Sequence, residues 1–260
     1  MNTSNIIRVK ELSLDKIHPN CLDDKFGGSK IVVIGKPGSG KSTMIKSIIY
    51  AKKHLIPVGI VFSGSEDSNG FYSKFFPPTF IFNDETPNLE QLKQFIERQK
   101  KACKRKLANP WSLCLIDDCT DDKKVFNDPT IIGMYKRGRH WKMLHILSLQ
   151  YSLDIKPNIR TNIDGTFILR EQGIKQRKQL YENYASMIPS FDLFCMMMDQ
   201  LTLDYTAMYI DNTNPNGDWK DNVYWYKATI PPDDFKFGCD EMWHWHYQKF
   251  DDKQLSTIAQ

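Results

Sequence analysis

The sequence predicts an α/β fold with a mostly parallel central sheet flanked by helices, and three observations carry that prediction. Continuous apolar runs such as Ile31–Ile34 and Pro57–Phe62 have the pattern of strands buried on both faces. Such runs alternate with helix-period segments from residue 31 to 170. A glycine-rich turn joins the first strand to the first helix and opens a right-handed βαβ unit.

Each element follows from its own pattern. Ser42–His54 reads as a helix with Met44, Ile45, Ile48 and Ile49 on one side, and Pro57–Phe62 as the next strand. Residues 63–78 are loop-like, and Phe80–Phe82 is a short strand. Thr86 as N-cap with Pro87 after it opens a helix through Lys106, its apolar positions being Leu89, Leu92, Ile96 and Cys103. Leu113–Ile116 is a strand ending in Asp117 and Asp118, a helix follows over 129–138, and Leu144–Leu149 is a strand ending at Gln150. Thr166–Leu169 closes the alternation. Beyond it the pattern changes, to helices at Ile174–Ser186 and Phe191–Gln200, then strands at Tyr205–Ile210 and Val223–Thr229 around a turn-rich stretch. Three parts are expected: a lead-in over 1–30, a core over 31–170, and a small helix/β-hairpin extension over 171–260 packed on that core.

Composition excludes several classes. With 41% hydrophobic and 25% charged residues, the 260-residue chain is ordinary for a folded domain and unlike a disordered one. No apolar run reaches the ~18–20 residues of a membrane span. The start, MNTSNIIRVKELSLDK, lacks the apolar stretch of a secretory signal. The six cysteines show neither CxxC pairs nor zinc-like spacing and read as reduced thiols. A formal charge of +4 is compatible with nucleic-acid contact without requiring it.

The strongest signal is Gly35-Lys36-Pro37-Gly38-Ser39-Gly40-Lys41-Ser42, a full G-x-x-x-x-G-K-[ST] pattern with a strand before it and a helix after it. Glycines let the loop wrap until backbone N–H groups face phosphate oxygens, and the helix aims its positive end at the same anion. Lys41 supplies a cation to the β- and γ-phosphates of ATP, Ser42 a hydroxyl to Mg²⁺, and Thr43 belongs to the same nucleotide-binding stretch. These features predict a P-loop NTPase.

Asp117 and Asp118 end an apolar strand some 75 residues further on. Asp117 is expected to hold Mg²⁺ through water and Asp118 to polarise the attacking water; a capping pair is the plainer alternative. Gln150 ends a buried strand, where parallel sheets place ligands, and is expected to sense the γ-phosphate or orient the water. A solvated strand end is the competing reading. A carboxylate beside the metal ligand favours hydrolysis over transfer to a small acceptor. A guanidinium that neutralises transition-state charge, often from a neighbouring subunit, has candidates in Arg137, Arg139 and Arg160. Exposed structural or DNA-facing roles compete for each.

These residues resemble the genome-packaging ATPases of nucleocytoplasmic large DNA viruses and virophages, within the FtsK–HerA superfamily. The resemblance rests on IVVIGKPGSGKS (31–42), SGSEDSNGFY (63–72), LCLIDDC (113–119), Gly138-Arg139-His140 before a strand ending in Gln150, NIRTNID (158–164) and Phe235-Lys236-Phe237-Gly238. It implies a RecA-like fold of the ASCE division and a ring, hexamer or pentamer, that threads double-stranded DNA into a preformed capsid. Capsid or portal components are the implied protein partners, and the host cytoplasm and the virion the implied locations. It assigns Lys41 and Ser42 to nucleotide and Mg²⁺, Asp117 to Mg²⁺, Asp118 to water, Gln150 to sensing, and Arg139 or Arg160 to a finger acting in trans. Many superfamily relatives carry Glu where this chain has Asp118, so a shorter carboxylate must reach the water.

A DNA motor grips phosphates, and two basic clusters are candidates: Arg98–Lys106 and Lys136–Lys142. The first reads better as a solvated helix face. The second is taken to lie beside the catalytic strand end, which favours a pore or subunit-interface role. Trp219, Trp225, Trp243 and Trp245 are expected to form an aromatic mini-core under the C-terminal hairpin, His244 and His246 to be structural, and Met196–Met198 to fill core space. About 90 residues after the core leave little room for a separate nuclease domain. Two alternatives to a packaging motor stay open: another translocase of the superfamily, cellular or plasmid-borne, and a P-loop kinase or switch.

Overall fold

The computed structural model describes residues 8–20, 27–84, 86–119, 122–214 and 217–249. In chain order the elements are β1 (Lys10–Glu11), β2 (Lys30–Ile34), α1 (Lys41–Lys52), β3 (Val58–Ser63), α2 (Glu66–Asn69), β4 (Ile81–Phe82), α3 (Leu89–Lys104), β5 (Ser112–Asp117) and α4 (Pro129–Arg137). There follow β6 (Met143–Leu149), α5 (Pro157–Arg160), β7 (Gly165–Ile168), α6 (Ile174–Tyr184), α7 (Phe191–Leu201), β8 (Thr206–Asp211), α8 (Trp219–Asn222), β9 (Val223–Lys227) and α9 (Asp240–Lys249).

The strands form one sheet in the order β1-β9-β8-β7-β2-β6-β5-β3-β4. From β7 to β4 all pairings are parallel, and β8 is antiparallel to both β7 and β9. The apolar runs explain the centre: β2 and β6 are buried at every position, as strands covered on both faces must be. One face packs under α1 through Met44, Ile45, Ile48 and Ile49 against Ile31, Val33 and Ile146. The other packs under α3, α4, α6 and α7 through Ile96, Met134, Leu180 and Phe194 against Val32, Ile34 and Leu147. One strand, β6, separates the glycine-loop strand β2 from the carboxylate strand β5. Three strand ends therefore converge.

Several expectations are corrected. Residues 1–30 contain a sheet strand, because β1 pairs in parallel with β9 through Lys10–Tyr224 and Glu11–Trp225. The helix α3 is capped by Asn88, whose side-chain oxygen accepts from Gln91 N at 3.2 Å, and starts after Thr86-Pro87. Asn is the stronger N-cap of the two. The loop over 63–78 contains α2, closed by Gly70 at φ 53°. The four tryptophans are dispersed: Trp219 packs on the α6–α7 side, Trp225 stands in β9 opposite Glu11, Trp243 donates to Phe237 O at 2.9 Å, and Trp245 is exposed against Phe80. The aromatic cluster forms instead from Phe75, Phe76, Phe235 and Phe237, ring pairs that stack at 4.8 and 4.9 Å.

Met197 and Met198 are buried while Met196 faces solvent. His246 faces Thr79 at 3.3 Å and the Trp243 ring edge-on. The five described cysteines are free thiols, and Cys21 lies outside the described residues. Among the described residues no helix is long and apolar enough to cross a membrane.

Candidate nucleotide site

The glycine loop spans the gap from β2 to α1 and closes over the C-terminal ends of β2, β6 and β5. Gly40 is the N-cap of α1 at φ 98°, a conformation that a side chain would strain. Lys41 reaches back along the loop, its ammonium donating to Gly35 O at 2.8 Å. Burial lowers the Lys41 pKa, and the nearby Asp117 and Asp118 act in the opposite direction. An incoming phosphate would add to that second effect.

Asp117 is the last residue of β5 and is 5% exposed. The Tyr72 hydroxyl donates to its Oδ2 at 2.6 Å. Burial raises the Asp117 pKa against the opposing hydrogen bond from Tyr72 and the charge of Lys41. Tyr72 is itself fully enclosed, and burial with the adjacent Asp117 carboxylate pushes its phenol well above the ordinary range, so it stays a donor. Glu66 fixes that segment by accepting from Tyr72 N at 2.9 Å and Ser73 N at 2.8 Å. Sequence reasoning missed Tyr72 as a partner of Asp117; the quoted loop SGSEDSNGFY contained it without revealing its target.

Asp118 adopts φ 54°, and Gln150, one residue beyond β6, donates to its Oδ1. Lys36, Pro37, Gly38, Gly40, Lys41, Ser42, Thr43, Ser65, Asp117, Asp118, Gln150 and Tyr205 line one cavity of about 420 Å³, within the 300–1,000 Å³ typical of small-molecule sites. Lys36 is anchored at its rim by Glu171, at 2.8 Å. Gly35 and Ser39 complete the loop, and the Ser39 hydroxyl donates to Lys36 O at 2.6 Å. The residues fit Mg²⁺: Ser42 and Asp117 both line the cavity and offer hard oxygens. That is how Mg²⁺ is held, by few protein oxygens together with phosphates and water.

The arginine candidates stand elsewhere. Arg139 precedes β6, at the end opposite to Gln150, and pairs with the buried Asp164. Asp164 also accepts from Lys30 N at 2.9 Å. The GRH and NIRTNID segments are thus joined in space by Arg139 and Asp164, which sequence spacing did not reveal. Arg160 ends α5 and donates to Ile155 O at 2.6 Å. Neither lines the nucleotide cavity.

The cluster Lys136–Lys142 is corrected accordingly. It lies at the start of β6, a seven-residue strand of roughly 20 Å, and not beside the catalytic strand end. The residues precede the strand whose far end carries Gln150. A second cavity of about 550 Å³, lined by Arg139, Asp164, Lys16 and Asp211, opens at that same starting end. It holds none of the phosphate-binding groups.

The fold and the site together define a P-loop nucleoside triphosphatase. Residues 20–180 match the family described as Poxvirus A32 protein, and the chain belongs to that family. Protein 088R of Invertebrate iridescent virus 3 is 50% identical over 241 residues, covering 90% of this chain and 91% of that protein. Protein L437 of Acanthamoeba polyphaga mimivirus is 34% identical over 223 residues, covering 83% and 78%. Among solved structures, the genome packaging NTPase B204 from Sulfolobus turreted icosahedral virus 2, in complex with ATP-gammaS, has a TM-score of 0.55 at 16% identity over 78% of this chain and 98% of its own. The pCW3 conjugation coupling protein TcpA with ATPgS has a TM-score of 0.54 at 14% identity, over 84% and 65%. At such identities the likeness is one of fold.

Proposed function

We propose that the chain is an ATP-hydrolysing motor that moves double-stranded viral DNA into a preformed capsid. The observation that carries the hydrolytic part is the convergence of Lys41, Ser42, Asp117, Asp118 and Gln150 on one cavity at three adjacent strand ends. The DNA-packaging part is supported by the fold shared with a packaging NTPase and by a family with relatives in large DNA viruses.

In this reading the loop amides and Lys41 bind the phosphates, and the helix end of α1 adds its partial charge. Ser42 and Asp117 would hold Mg²⁺, which supplies charge neutralisation at the phosphate oxygens. Tyr72 fixes the Asp117 carboxylate from behind. Asp118 takes the proton of the attacking water, and Gln150 orients Asp118 and reads the γ-phosphate. Arg139 or Arg160 would reach the cavity of a neighbouring subunit in a ring of five or six. Exposed lysines and arginines would contact the DNA backbone, and capsid or portal components would dock the ring. The host cytoplasm, where such capsids are assembled, is the proposed place of action, with retention in the virion as a corollary.

The conjugation protein TcpA shares the fold to a similar degree, so transfer of DNA between cells is the second reading. ATP hydrolysis measured with and without duplex DNA tests the motor. Stimulation by duplex, abolished together with ATP binding in Lys41→Ala, is expected. An unstimulated rate with phosphorylation of a small acceptor would replace the motor by a kinase.

A further inference from the structure

The cavity contains one aromatic ring that the hydrolytic reading leaves without a task. Tyr205 stands immediately before β8, and because β8 runs antiparallel to β7 its first residues emerge where β7, β2, β6 and β5 finish. The chain thereby delivers Tyr205 to the glycine-loop end of the sheet, where it lines the cavity beside Lys41, Ser42 and Thr43. It is 62% exposed, so core packing does not account for a large aromatic side chain there.

Two more observations mark the position. Asp204 and Tyr205 adopt φ values of 50° and 59°, consecutive left-handed conformations in non-glycine residues. Backbone strain of this kind clusters at ligand sites. The ring also rests on the loop itself: a Cβ on Gly40 would lie 2.7 Å from Tyr205 Cδ1. The last glycine of the loop is therefore needed for this aromatic neighbour as well as for its own φ.

We propose that Tyr205 is the nucleobase platform of the cavity, stacking on the base of a bound nucleoside triphosphate. This rests on the reading of the cavity as a nucleotide site. In that reading the loop atoms and strand-end carboxylates serve the phosphates and the metal, and the nucleoside extends past the start of α1, where Tyr205 offers the one aromatic face among the described lining residues. Stacking on an aromatic ring uses the π-face that every base has. The platform therefore adds affinity without selecting adenine strongly over guanine.

Equilibrium binding of ATP, GTP and inorganic tripolyphosphate to the wild-type protein and to Tyr205→Ala and Tyr205→Phe tests it. Tyr205→Ala is expected to weaken ATP and GTP about tenfold each and leave tripolyphosphate unchanged. Tyr205→Phe is expected to bind all three like the wild type. Unchanged ATP affinity in Tyr205→Ala overturns the proposal. So does an equal loss for ATP and tripolyphosphate, which would make Tyr205 a prop for Gly40. Retained tripolyphosphate binding reports an intact loop in the alanine variant. A wild-type protein that binds neither nucleotide nor tripolyphosphate would instead remove the nucleotide reading of the cavity.

Discussion

Asp118 holds its carboxylate toward Gln150 from a left-handed backbone conformation at φ 54°. Asn tolerates that conformation at least as well as Asp, so Asp118→Asn changes charge while sparing the backbone. The variant should bind ATP within a few-fold of wild type and turn over at least ~100-fold more slowly, the usual weight of a general base. Measuring Kd and kcat separately checks this, and wild-type turnover would take Asp118 out of the chemistry. The side chain is one methylene shorter than that of a glutamate. Gln150, one residue beyond β6, donates to it, and in the proposed mechanism that contact orients it.

At the scale of elements, β6 joins the proposed catalytic site to stability. Its terminus carries Gln150, and its interior buries His145 between Cys114 O at 3.0 Å and the Tyr135 hydroxyl at 2.8 Å. Burial pulls the His145 pKa from its ordinary 6.5 down to about 4, with Lys30 adding to the shift and the Cys114 contact opposing it. Between those values the unfolded chain binds a proton that the folded chain refuses. Stability is therefore lost as pH falls from 6.5 toward 4, by up to about 3 kcal/mol. Melting curves across that window should show the loss, and His145→Gln should flatten it; an unaltered slope would assign the pH dependence to other groups.

Elements with a single strong period were legible in the sequence. The runs that became β2, β3 and β5 are largely apolar, that of β6 is apolar but for His145 and Ser148, and α6 and α7 begin where the pattern placed them. Residues that act through distant partners were not. Nothing near Lys10–Glu11 announces a strand, because its partner β9 lies more than two hundred residues away. Tyr72 and Tyr205 belonged to a loop and a strand start in the sequence, and their relation to Asp117 and Gly40 exists only once the sheet order is set. The glycine loop was readable because phosphate binding ties residue type to spacing within one turn, whereas Asp117 and Asp118 were picked out only as the end of an apolar strand some 75 residues further on.

For the whole molecule, the nucleotide cavity has no arginine among its described lining residues. If Arg139 or Arg160 completes it from a neighbour, substituting that residue by Ala should lower turnover by ~10³-fold or more while ATP binding survives. Mixing that variant with Lys41→Ala subunits should restore part of the activity, because intact loops then meet intact arginines. No recovery with either arginine would argue against a finger in trans.

Arg139 and Gln150 stand at opposite ends of β6. A contact that carries Arg139 to another subunit's cavity must join the head of one molecule to the tail of the next. A two-fold axis makes that contact reciprocally in a pair and no further, so an assembly of more than two subunits must repeat it head to tail. Open arcs built this way always keep one cavity without an arginine and one arginine without a cavity. Only closure removes both defects, so for a finger at Arg139 the number of complete sites equals the number of subunits only in the closed circle.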